Sequence, residues 1–390
     1  MREFEPLYVR AFLKLLENCP FGTLSLKGPN GKVWHFKGES LGVEADIEIQ
    51  HWGAIKAALS RGDIGFGEAY VQGLWNSSNI SNLVSYGIGN INYLRQYING
   101  NIFQRYVTYL INIIFKKNTL SGSRQNIMSH YDLGNNFYEL WLDSTMTYSS
   151  GLRYSGTEDL EQSQRQKYAR ILGKIRNQNK VLEIGCGWGG FAEKAAIEGH
   201  DVTSLTISPS QSIFSKERLG STAKILLEDY RNTKGLFDSI VSIEMFEAVG
   251  EAYWPTYFKT IKNRLKEGGN ALIQTITIND NEFKNYRKSS DYLRHYIFPG
   301  GMLPSSEKFE FHAKKAGLSI KDTLCFGQDY AWTLQEWEKR FCEAKSKIMK
   351  LGFNDEFIRS WLYYFGLCRG GFQMERISVM QVELIHEEEQ

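Results

Sequence analysis

Residues 181–190, which read Val-Leu-Glu-Ile-Gly-Cys-Gly-Trp-Gly-Gly, constrain the fold of this chain more than any other stretch. An apolar run stops there in a glycine-rich turn, and a helical pattern begins at residue 191. The pattern predicts a buried β-strand, a tight turn and the start of a helix. Gly185, Gly187 and Gly189 allow the backbone to bend sharply and to approach a ligand more closely than a Cβ would permit.

The chemistry of this turn narrows the choice of ligand. Its spacing, Gly-x-Gly-x-Gly, differs from the Gly-x-Gly-x-x-Gly fingerprint of dinucleotide-binding proteins. Glu183 lies at the strand end, two residues before the first glycine, where its carboxylate suits a ligand that carries an ammonium group. A turn of this kind also occurs as a mere tight connection between a strand and a helix, so the neighbouring segments must decide.

Composition excludes several classes of protein. The 390 residues suffice for two or three domains or one large one, and a net charge of +2 gives no strong field for nucleic acid, which we do not expect as a partner. The five cysteines are odd in number and lack a Cys-x-x-Cys pair, so we expect neither a disulfide framework nor a metal site. Reduced cysteines are typical of a cytoplasmic protein, and we expect that setting here. No apolar run reaches the ~18 residues of a membrane span, so we expect neither a membrane-spanning segment nor export by an ordinary signal.

Residues 1–100 are predicted to form a small α+β accessory domain. Helical patterns occur at 8–17 and 52–58, and strand patterns at 22–26, 33–37 and 45–49. Residues 61–75 carry a glycine every few positions between large apolar groups, which predicts tight turns. Docking of lipid or substrate is the alternative interpretation of this domain.

Residues 101–125 are predicted to form a helical linker. Its apolar stretch at 106–115 is too short to span a bilayer and is followed at once by Lys116 and Lys117. Such a helix either packs between domains or rests on a membrane surface, where the lysines would meet anionic head groups. The Ser/Gly/Arg-containing segment at 118–124 marks the clearest domain boundary.

Residues 126–390 are predicted to form the larger domain, in which strands and helices alternate. After a helix at 160–175, strand patterns lie at 181–184, 202–207, 223–227, 239–243 and 271–278, with helices between them at 191–197, 209–219 and 252–265. This alternation predicts a doubly wound α/β sheet with mostly parallel strands. Ligands on such sheets bind beyond the carboxyl ends of the strands.

The strand ends suit the parts of one ligand. Thr206 and Gln211 offer neutral hydrogen bonds where dinucleotide enzymes place an acid for a ribose diol. Asp229 can accept a hydrogen bond from an adenine amine, and Tyr230 can stack beside it. Together with Glu183 for an ammonium group, these residues favour an adenosine joined to an amino acid without a pyrophosphate. That ligand is S-adenosylmethionine.

The sequence resembles the cyclopropane-fatty-acyl-phospholipid synthase family, which includes the mycolic acid cyclopropane synthases, over nearly the whole chain. The resemblance is carried by motifs at 130–138 (HYDLGNNFY), 146–149 (MTYS), 181–190, 205–211 (LTISPSQ), 241–250 (VSIEMFEAVG), 296–304 (YIFPGGMLP) and 326–330 (FGQDY). It implies a seven-stranded class I (Rossmann-like) methyltransferase domain, and it adds Tyr148, Ser149 and Cys186 to the residues expected to bind S-adenosylmethionine.

The resemblance also implies where the enzyme acts. A glycine pattern ending at Gly73-Leu-Trp75 is similar to the N-terminal domain of the full-length bacterial synthases, which implies that the substrate is an unsaturated acyl chain of a membrane phospholipid. We therefore expect a peripheral contact with the inner face of the cytoplasmic membrane, and the family suggests a homodimer.

The reaction makes definite demands on the site. A sulfonium methyl group and an isolated alkene react only if they are held in line in a dry pocket, and methyl transfer leaves a carbocation. Aromatic faces and a carboxylate can stabilise that cation, and the candidates are Phe246, Tyr292, Tyr296, Phe298 and Glu247, although any of these aromatics could equally be ordinary core.

Ring closure needs a base, which in the family is understood to be a bicarbonate held by a cysteine, a glutamate, a histidine and a tyrosine. Glu247 and Tyr330 match two of these positions, whereas Ser150 replaces the cysteine and Gln274 replaces the histidine. Serine and glutamine can still donate hydrogen bonds to an oxyanion, but neither titrates near neutrality. We expect cyclopropane formation. One alternative is an enzyme that gives a methyl- or methylene-branched product, and another is a lipid-binding protein with an inactive methyltransferase domain.

Overall fold

The computed structural model describes residues 5–100, 133–175 and 180–387. The expected linker at 101–125, including Lys116 and Lys117, lies outside the described residues. None of the described helices is both long enough and apolar enough to cross a membrane.

The N-terminal elements begin with a helix and a small sheet. They are α1 (Leu7–Leu16), β1 (Phe21–Lys27), β2 (Val33–Lys37), β3 (Ser40–Ile49), α2 (Gly53–Val71), β4 (Trp75–Asn76), α3 (Ile80–Gly89) and α4 (Ile91–Gly100). The strands pair in the order β2-β1-β3-β4, with β1 antiparallel to β2 and parallel to β3. Alternate residues of β1, including Leu24 and Leu26, are buried, as expected for a sheet with one covered face.

Residues 61–75 differ from the sequence-based prediction of tight turns, because most of them lie in α2. The helix is interrupted at Gly62, whose φ is +61°. Gly67 allows close packing, since a Cβ there would lie 2.4 Å from Tyr292 Cδ2 and 2.6 Å from Tyr363 Cε1. The glycines of this stretch therefore serve helix packing, and the prediction of tight turns was wrong for most of it.

The larger sheet and its helices follow from residue 133. The elements up to residue 288 are α5 (Asn135–Tyr138), α6 (Leu160–Lys174), β5 (Lys180–Ile184), α7 (Gly190–Ile197), β6 (Asp201–Thr206), α8 (Pro209–Leu219), β7 (Lys224–Leu227), β8 (Phe237–Ile243), α9 (Phe246–Val249), α10 (Trp254–Arg264), β9 (Leu265–Ile278) and α11 (Asp280–Lys288), with 3₁₀ turns at Tyr230–Asn232 and Glu251–Tyr253. Local chemistry sets these limits: Ser208 caps α8 and Pro209 occupies its first turn.

The remaining elements complete the chain. They are a π-helical turn (Leu293–Ile297), α12 (Ser306–Lys315), β10 (Leu318–Cys325), α13 (Gly327–Glu343), α14 (Lys345–Lys350), α15 (Asp355–Gln373) and β11 (Ile377–His386). The seven strands β5–β11 form one sheet in the order β10-β11-β9-β8-β5-β6-β7. The strands β5–β9 are mutually parallel, and β11 is antiparallel to both of its neighbours, β9 and β10, so the prediction of a mostly parallel sheet is confirmed.

Helices cover both faces of this sheet. On one face Val181, Val202 and Val241 pack with residues of α6 and α7. On the other face Leu182 and Ile240 pack with residues of α10 and α12. Side chains alternate between the two faces of a strand, so the continuous apolar runs seen in the sequence reflect burial on both sides. The carboxyl ends of β5–β8 consequently meet at one edge, where their loops can form a site.

The described residues divide into two compact units. The first comprises 5–100, Ser290–Ile297 and Met349–Arg376, and the second comprises the remaining described residues from 133 onwards. The two later segments of the first unit had been expected in a catalytic domain spanning 126–390. α15 instead packs on α3, where Gly370 admits Val84. The domain limits 1–100, 101–125 and 126–390 stay predictions.

Replacing Gly67 with Ala should destabilise the protein, because the new methyl group would have to displace two buried rings, at a cost of about 1–3 kcal/mol. Gly87 of α3 is the matched control: a Cβ there meets no atom within 4 Å. Gly87→Ala should stabilise the helix by about 0.5–1 kcal/mol. Thermal unfolding of both variants checks this, and equal shifts would contradict the packing role of Gly67.

Candidate active site at the carboxyl edge of the large sheet

The glycine-rich turn after β5 is fixed on one side and open on the other. Gly185 N and Cys186 N both donate to Leu205 O, at 3.0 and 2.9 Å, which ties the turn to β6. Gly185 has φ +86°, and a Cβ there would lie 2.8 Å from Met245 Cγ. Gly187 has φ +51°, and a Cβ there would meet no atom within 4 Å. The open side at Gly187 is where a ligand can approach the backbone.

Cys186 and Gly189 complete the turn. Gly189 N donates to Cys186 O at 2.9 Å, and Gly189 adopts φ +83° immediately before α7. The Cys186 thiol is buried and lies 3.6 Å from Gly187 O. Burial raises the pKa of this thiol far above its ordinary value, so Cys186 stays protonated and forms part of the wall of the site.

Glu183 is buried within β5, with 2% of its surface exposed. Its Oε2 accepts a hydrogen bond from Ser204 Oγ at 2.6 Å. Burial raises the pKa of this carboxyl to about 7. A positively charged group placed near Glu183 would stabilise its ionised form, which is the electrostatic match expected for an ammonium group.

Thr206 and Gln211 lie together at the end of β6 and the start of α8. Thr206 Oγ1 donates to Gln211 Oε1 at 2.9 Å and accepts from Ser208 N at 3.1 Å. The amide of Gln211 is thus held in a fixed orientation. Both side chains are buried and neutral, which suits hydroxyl groups of a ligand better than charged phosphates.

Asp229 and Tyr230 follow β7. The Asp229 carboxylate pairs with the Arg231 guanidinium, at 2.6 Å from Nη2 and 2.8 Å from Nε, and this pairing lowers the pKa of Asp229. A carboxylate has about four acceptor sites, so Asp229 retains capacity for a further donor. Tyr230 packs edge-on against Tyr257, with ring centroids 5.7 Å apart.

The loop before α6 contributes Tyr148 and Ser149. The Tyr148 ring packs against three aromatic side chains. These are Tyr138 of α5, Trp141 of the loop between α5 and α6, and Trp337 of α13. Ser149 Oγ accepts a hydrogen bond from the buried Lys167 ammonium group at 2.5 Å. Burial lowers the pKa of Lys167 to about 7, and the nearby Glu244 carboxylate opposes that shift.

Three of the four predicted catalytic residues converge on a carboxylate that the sequence-based prediction did not include. Ser150 N donates to Glu244 Oε1 at 2.9 Å, and Gln274 Nε2 donates to the same oxygen at 2.7 Å. Tyr330 Oη donates to Glu244 Oε2 at 2.6 Å. We call these four residues the Glu244 cage. Ser150 takes part through its backbone, because its hydroxyl donates to Gly151 O instead.

A chain of hydrogen bonds orients the Gln274 amide. Gln381 Nε2 donates to Gln274 Oε1 at 2.8 Å, and Gln381 Oε1 accepts from Arg170 Nη1 at 3.0 Å. Arg170 is itself paired with Asp322 at 2.6 Å. Because its oxygen is occupied by Gln381, Gln274 must present its amide hydrogens to Glu244.

Glu247, the fourth predicted catalytic residue, lies apart from the other three. Its Oε1 accepts from Ile276 N, and its buried Oε2 has no hydrogen-bond partner among the described residues. Burial, with a smaller contribution from the negative charge of Glu244, raises the pKa of Glu247 to about 8. The two neighbouring carboxyls therefore differ: Glu244 has donors at both oxygens, and Glu247 favours the protonated form at neutral pH.

The Glu244 cage does not fit a separate bicarbonate ion. Gln274 and Tyr330, which were expected to hold an oxyanion, already donate to the Glu244 carboxylate, and the expected Ser150 hydroxyl donates to Gly151 O. A second anion would have to displace that carboxylate and would meet like charge. The residues therefore give no place to the bicarbonate that the family resemblance implies.

The aromatic candidates separate into different surroundings. Phe246 is fully buried in the core against Trp254 and Tyr257, so we assign it to packing. Tyr292 and Tyr296 belong to the first compact unit, where Tyr292 Oη lies 2.8 Å from Ser360 Oγ and Tyr296 donates to Glu68. Phe298 is half-buried in the second unit.

Sequence reasoning missed Glu244 and Lys167 as site residues. A signal for Glu244 was present, because it is the first residue after the apolar strand β8 and hence lies at the carboxyl edge. Lys167 gave no signal, since in the sequence it is one of several charges along α6. Within the described ranges no cluster of side chains has the composition of a metal site.

Comparison with known proteins places this arrangement in context. A profile of the mycolic acid cyclopropane synthetase family matches residues 118–382. Tuberculostearic acid methyltransferase UfaA1 of Mycobacterium tuberculosis is 33% identical, over 84% of this chain and 79% of its own. The cyclopropane-fatty-acyl-phospholipid synthase of Escherichia coli K12 is 33% identical over 87% of each chain. The crystal structure of mycolic acid cyclopropane synthase CmaA1 complexed with SAH and CTAB is 26% identical, covers 67% of this chain and 97% of its own, and has a TM-score of 0.62.

These similarities include the functional region. The family match spans the glycine-rich turn, the strand-end residues and the Glu244 cage, and the two relatives extend the similarity over most of the chain. The predicted class I methyltransferase fold and the resemblance drawn from the sequence motifs are confirmed. The chain belongs to the mycolic acid cyclopropane synthetase family.

Proposed function

We propose that the protein transfers a methylene group from S-adenosylmethionine to the double bond of an unsaturated acyl chain of a membrane phospholipid and closes a cyclopropane ring. The observation that carries the proposal is the Glu244 cage, which holds a hydrogen-bonded carboxylate at the end of β8. The glycine-rich turn follows β5, the strand next to β8 in the sheet. Membership of the family, with a phospholipid-modifying synthase among the relatives, supports the substrate class.

The residues of the carboxyl edge fit S-adenosylmethionine, whose sulfonium supplies an electrophilic methyl group when it is bound. Gly185, Cys186, Gly187 and Gly189 would form the surface for its amino-acid part, with Glu183 close to the ammonium group. Thr206 and Gln211 would hold the ribose, Asp229 and Tyr230 the adenine, and Tyr148 and Ser149 would line the same site. The relative whose structure contains SAH supports this assignment.

The protein itself must hold the alkene dry and stabilise the cation that follows methyl transfer. A buried carboxyl at Glu247 suits that task, because a positive charge beside it lowers its pKa and restores the carboxylate. Of the two aromatic candidates in the same compact unit as Glu247, Phe246 belongs to the core and Phe298 is half-buried, so Phe298 is the candidate for contact with the cation. Removal of a proton from the transferred methyl group then completes the ring.

A branched product is the second candidate outcome. If the proton leaves a neighbouring carbon instead of the new methyl group, the lipid keeps a double bond and gains a branch. The tuberculostearic acid methyltransferase among the relatives favours keeping this possibility. In either case the protein is an acyl-lipid methyltransferase, rather than a lipid-binding protein with an inactive domain.

We also propose that the protein acts at the inner face of the cytoplasmic membrane as a peripheral protein and as a homodimer. Phospholipid acyl chains reach an enzyme only at a membrane surface, and residues 1–100 are the proposed docking domain. The basic pair Lys116–Lys117 after an apolar stretch suits contact with anionic head groups. The family resemblance supports the dimer.

Gly187→Val should abolish binding of S-adenosylmethionine, because its side chain would enter the open side of the turn. Gly220→Val is the matched control: Gly220 has φ +54°, close to the +51° of Gly187, and a Cβ there also meets no atom within 4 Å. Gly220 precedes β7 and lies away from the carboxyl edge. Calorimetry should detect normal affinity in the control alone, and normal affinity in both variants would remove the proposed cofactor site.

The product should be a cyclopropane. Purified protein, S-adenosylmethionine and vesicles of a monounsaturated phospholipid should give acyl chains that gain one CH₂ and resist mild hydrogenation. A branched product would gain the same mass but take up hydrogen at its remaining double bond. Mass spectrometry before and after hydrogenation separates the two, and an unchanged mass in every acyl chain would refute methyl transfer.

Glu247→Gln should alter the pH dependence of stability. Folding keeps a proton on Glu247 that the unfolded chain releases near the ordinary carboxyl pKa, so stability of the native protein falls as pH rises from about 5 to about 8. The variant lacks the titrating carboxyl, so its melting temperature should fall less than that of the native protein between pH about 5 and about 8. Glu375→Gln, at an exposed carboxyl, should follow the native protein. Parallel curves for all three proteins would contradict the burial of a protonated Glu247.

A further inference from the structure

We propose that the Glu244 carboxylate is the built-in base of this enzyme, and that it removes the proton from the transferred methyl group. This inference rests on the proposed function and specifies which group completes it. It replaces the bicarbonate implied by the family resemblance with a side chain of the protein.

The hydrogen bonds of the Glu244 cage are those that an anionic base requires. Both carboxylate oxygens accept from groups of different origin: a backbone N–H, a side-chain amide and a phenol. Ser150 and Gln274, which replace the cysteine and histidine of the family pattern, are uncharged donors. Donors of this kind hold a carboxylate in place without neutralising it, so its remaining acceptor sites stay available to a proton.

The backbone at Glu244 adopts a strained conformation, and this conformation places the carboxylate within the cage. Glu244 has φ +50°, in the left-handed region that side chains other than glycine seldom adopt. Strain of this kind persists where the surroundings determine it and concentrates at functional sites. Here Glu244 N donates to Gln274 O at 2.8 Å, so the backbone and the side chain of Glu244 are both held by the same residue of β9.

Opposing effects act on the ionisation of Glu244. Burial raises the pKa of its carboxyl, whereas the nearby Lys167 and the donors of the cage act in the opposite direction and favour the carboxylate. The neighbouring Glu247 is driven towards its protonated form, partly by Glu244 itself. The hydrogen bonds thus separate the pair: Glu244 has donors at both oxygens and serves as the base, and Glu247 is a group whose ionisation a nearby cation would promote.

The step balances without any further reactant. The π electrons of the alkene form the new C–C bond to the methyl carbon, and the S–CH₃ bonding pair returns to sulfur as a thioether. One C–H bond of the new methyl group then breaks: its proton goes to Glu244, and its electron pair closes the ring onto the cationic carbon. The carboxyl afterwards releases the proton to solvent, which regenerates the carboxylate.

Glu244→Gln keeps the shape of the side chain but removes the proton acceptor. With vesicles of a monounsaturated phospholipid, ring formation should fall by about 100-fold to 10,000-fold, while affinity for S-adenosylmethionine should change less than about twofold. Ring formation at the native rate in this variant would overturn the assignment. Loss of cofactor affinity to the same degree as of rate would also overturn it, because the effect would then be structural.

Glu244→Gly tests the cage itself, because glycine accepts φ +50° and leaves the three donors facing an empty space. Added bicarbonate or formate should raise the melting temperature of this variant and restore part of its activity in a saturable manner. Neither anion should affect the native protein. Glu375→Gly is the matched control, since Glu375 is exposed and has φ +52°, and it should keep native activity without any response to the anions.

Failure of this inference is distinguishable from failure of the proposed function. Native protein that makes the ring in ordinary buffer but loses activity when carbonate is removed would overturn the role of Glu244 and leave the function intact. So would a bicarbonate-dependent rise in the melting temperature of the native protein equal to that of Glu244→Gly. Native protein that transfers no methyl group would overturn the proposed function, and the base with it.

Discussion

The hydrogen-bonded carboxylate of Glu244 is the interaction on which the rest of the site depends. A charge at this depth is costly unless it is paired and fully hydrogen-bonded. Glu244 meets that requirement through donors from three separate parts of the chain: the loop before α6, strand β9 and helix α13. Each of these segments must therefore take its observed place before the carboxylate can be buried.

The parallel sheet brings those segments together. Strands β5 and β8 are neighbours, so the glycine-rich turn and Glu244 emerge side by side at the same edge. Gln274 reaches Glu244 because β9 pairs with β8, and its amide is oriented from β11 through Gln381. The same carboxyl edge that suits S-adenosylmethionine thus also positions the proposed base.

Sequence patterns predicted the frame of this site better than its contacts. Continuous apolar runs such as that before Gly185 follow directly from burial on both faces of a sheet. The helix predicted at 209–219 is observed as α8 with the same limits, and Ser208 and Pro209 account for its start. The cage could not be predicted in this way. Two nearby glutamates, Glu244 and Glu247, could each have accepted the donors of the cage. The turn after β8, where Glu244 adopts a left-handed backbone conformation, places the Glu244 carboxylate against those donors. The prediction of tight turns at residues 61–75 failed because the sequence does not distinguish a glycine required for helix packing, such as Gly67, from a glycine required for a turn.

Isotope retention tests the central claim most directly. S-adenosylmethionine that carries a trideuterated methyl group, supplied to the native protein with monounsaturated phospholipid vesicles in carbonate-free buffer, should give a cyclopropane whose new carbon retains two deuterium atoms. The third should be lost, because Glu244 removes it from the transferred methyl group and solvent then exchanges it. A product that retains all three deuterium atoms beside a double bond would show that the proton leaves another carbon, and would contradict ring closure by the Glu244 carboxylate.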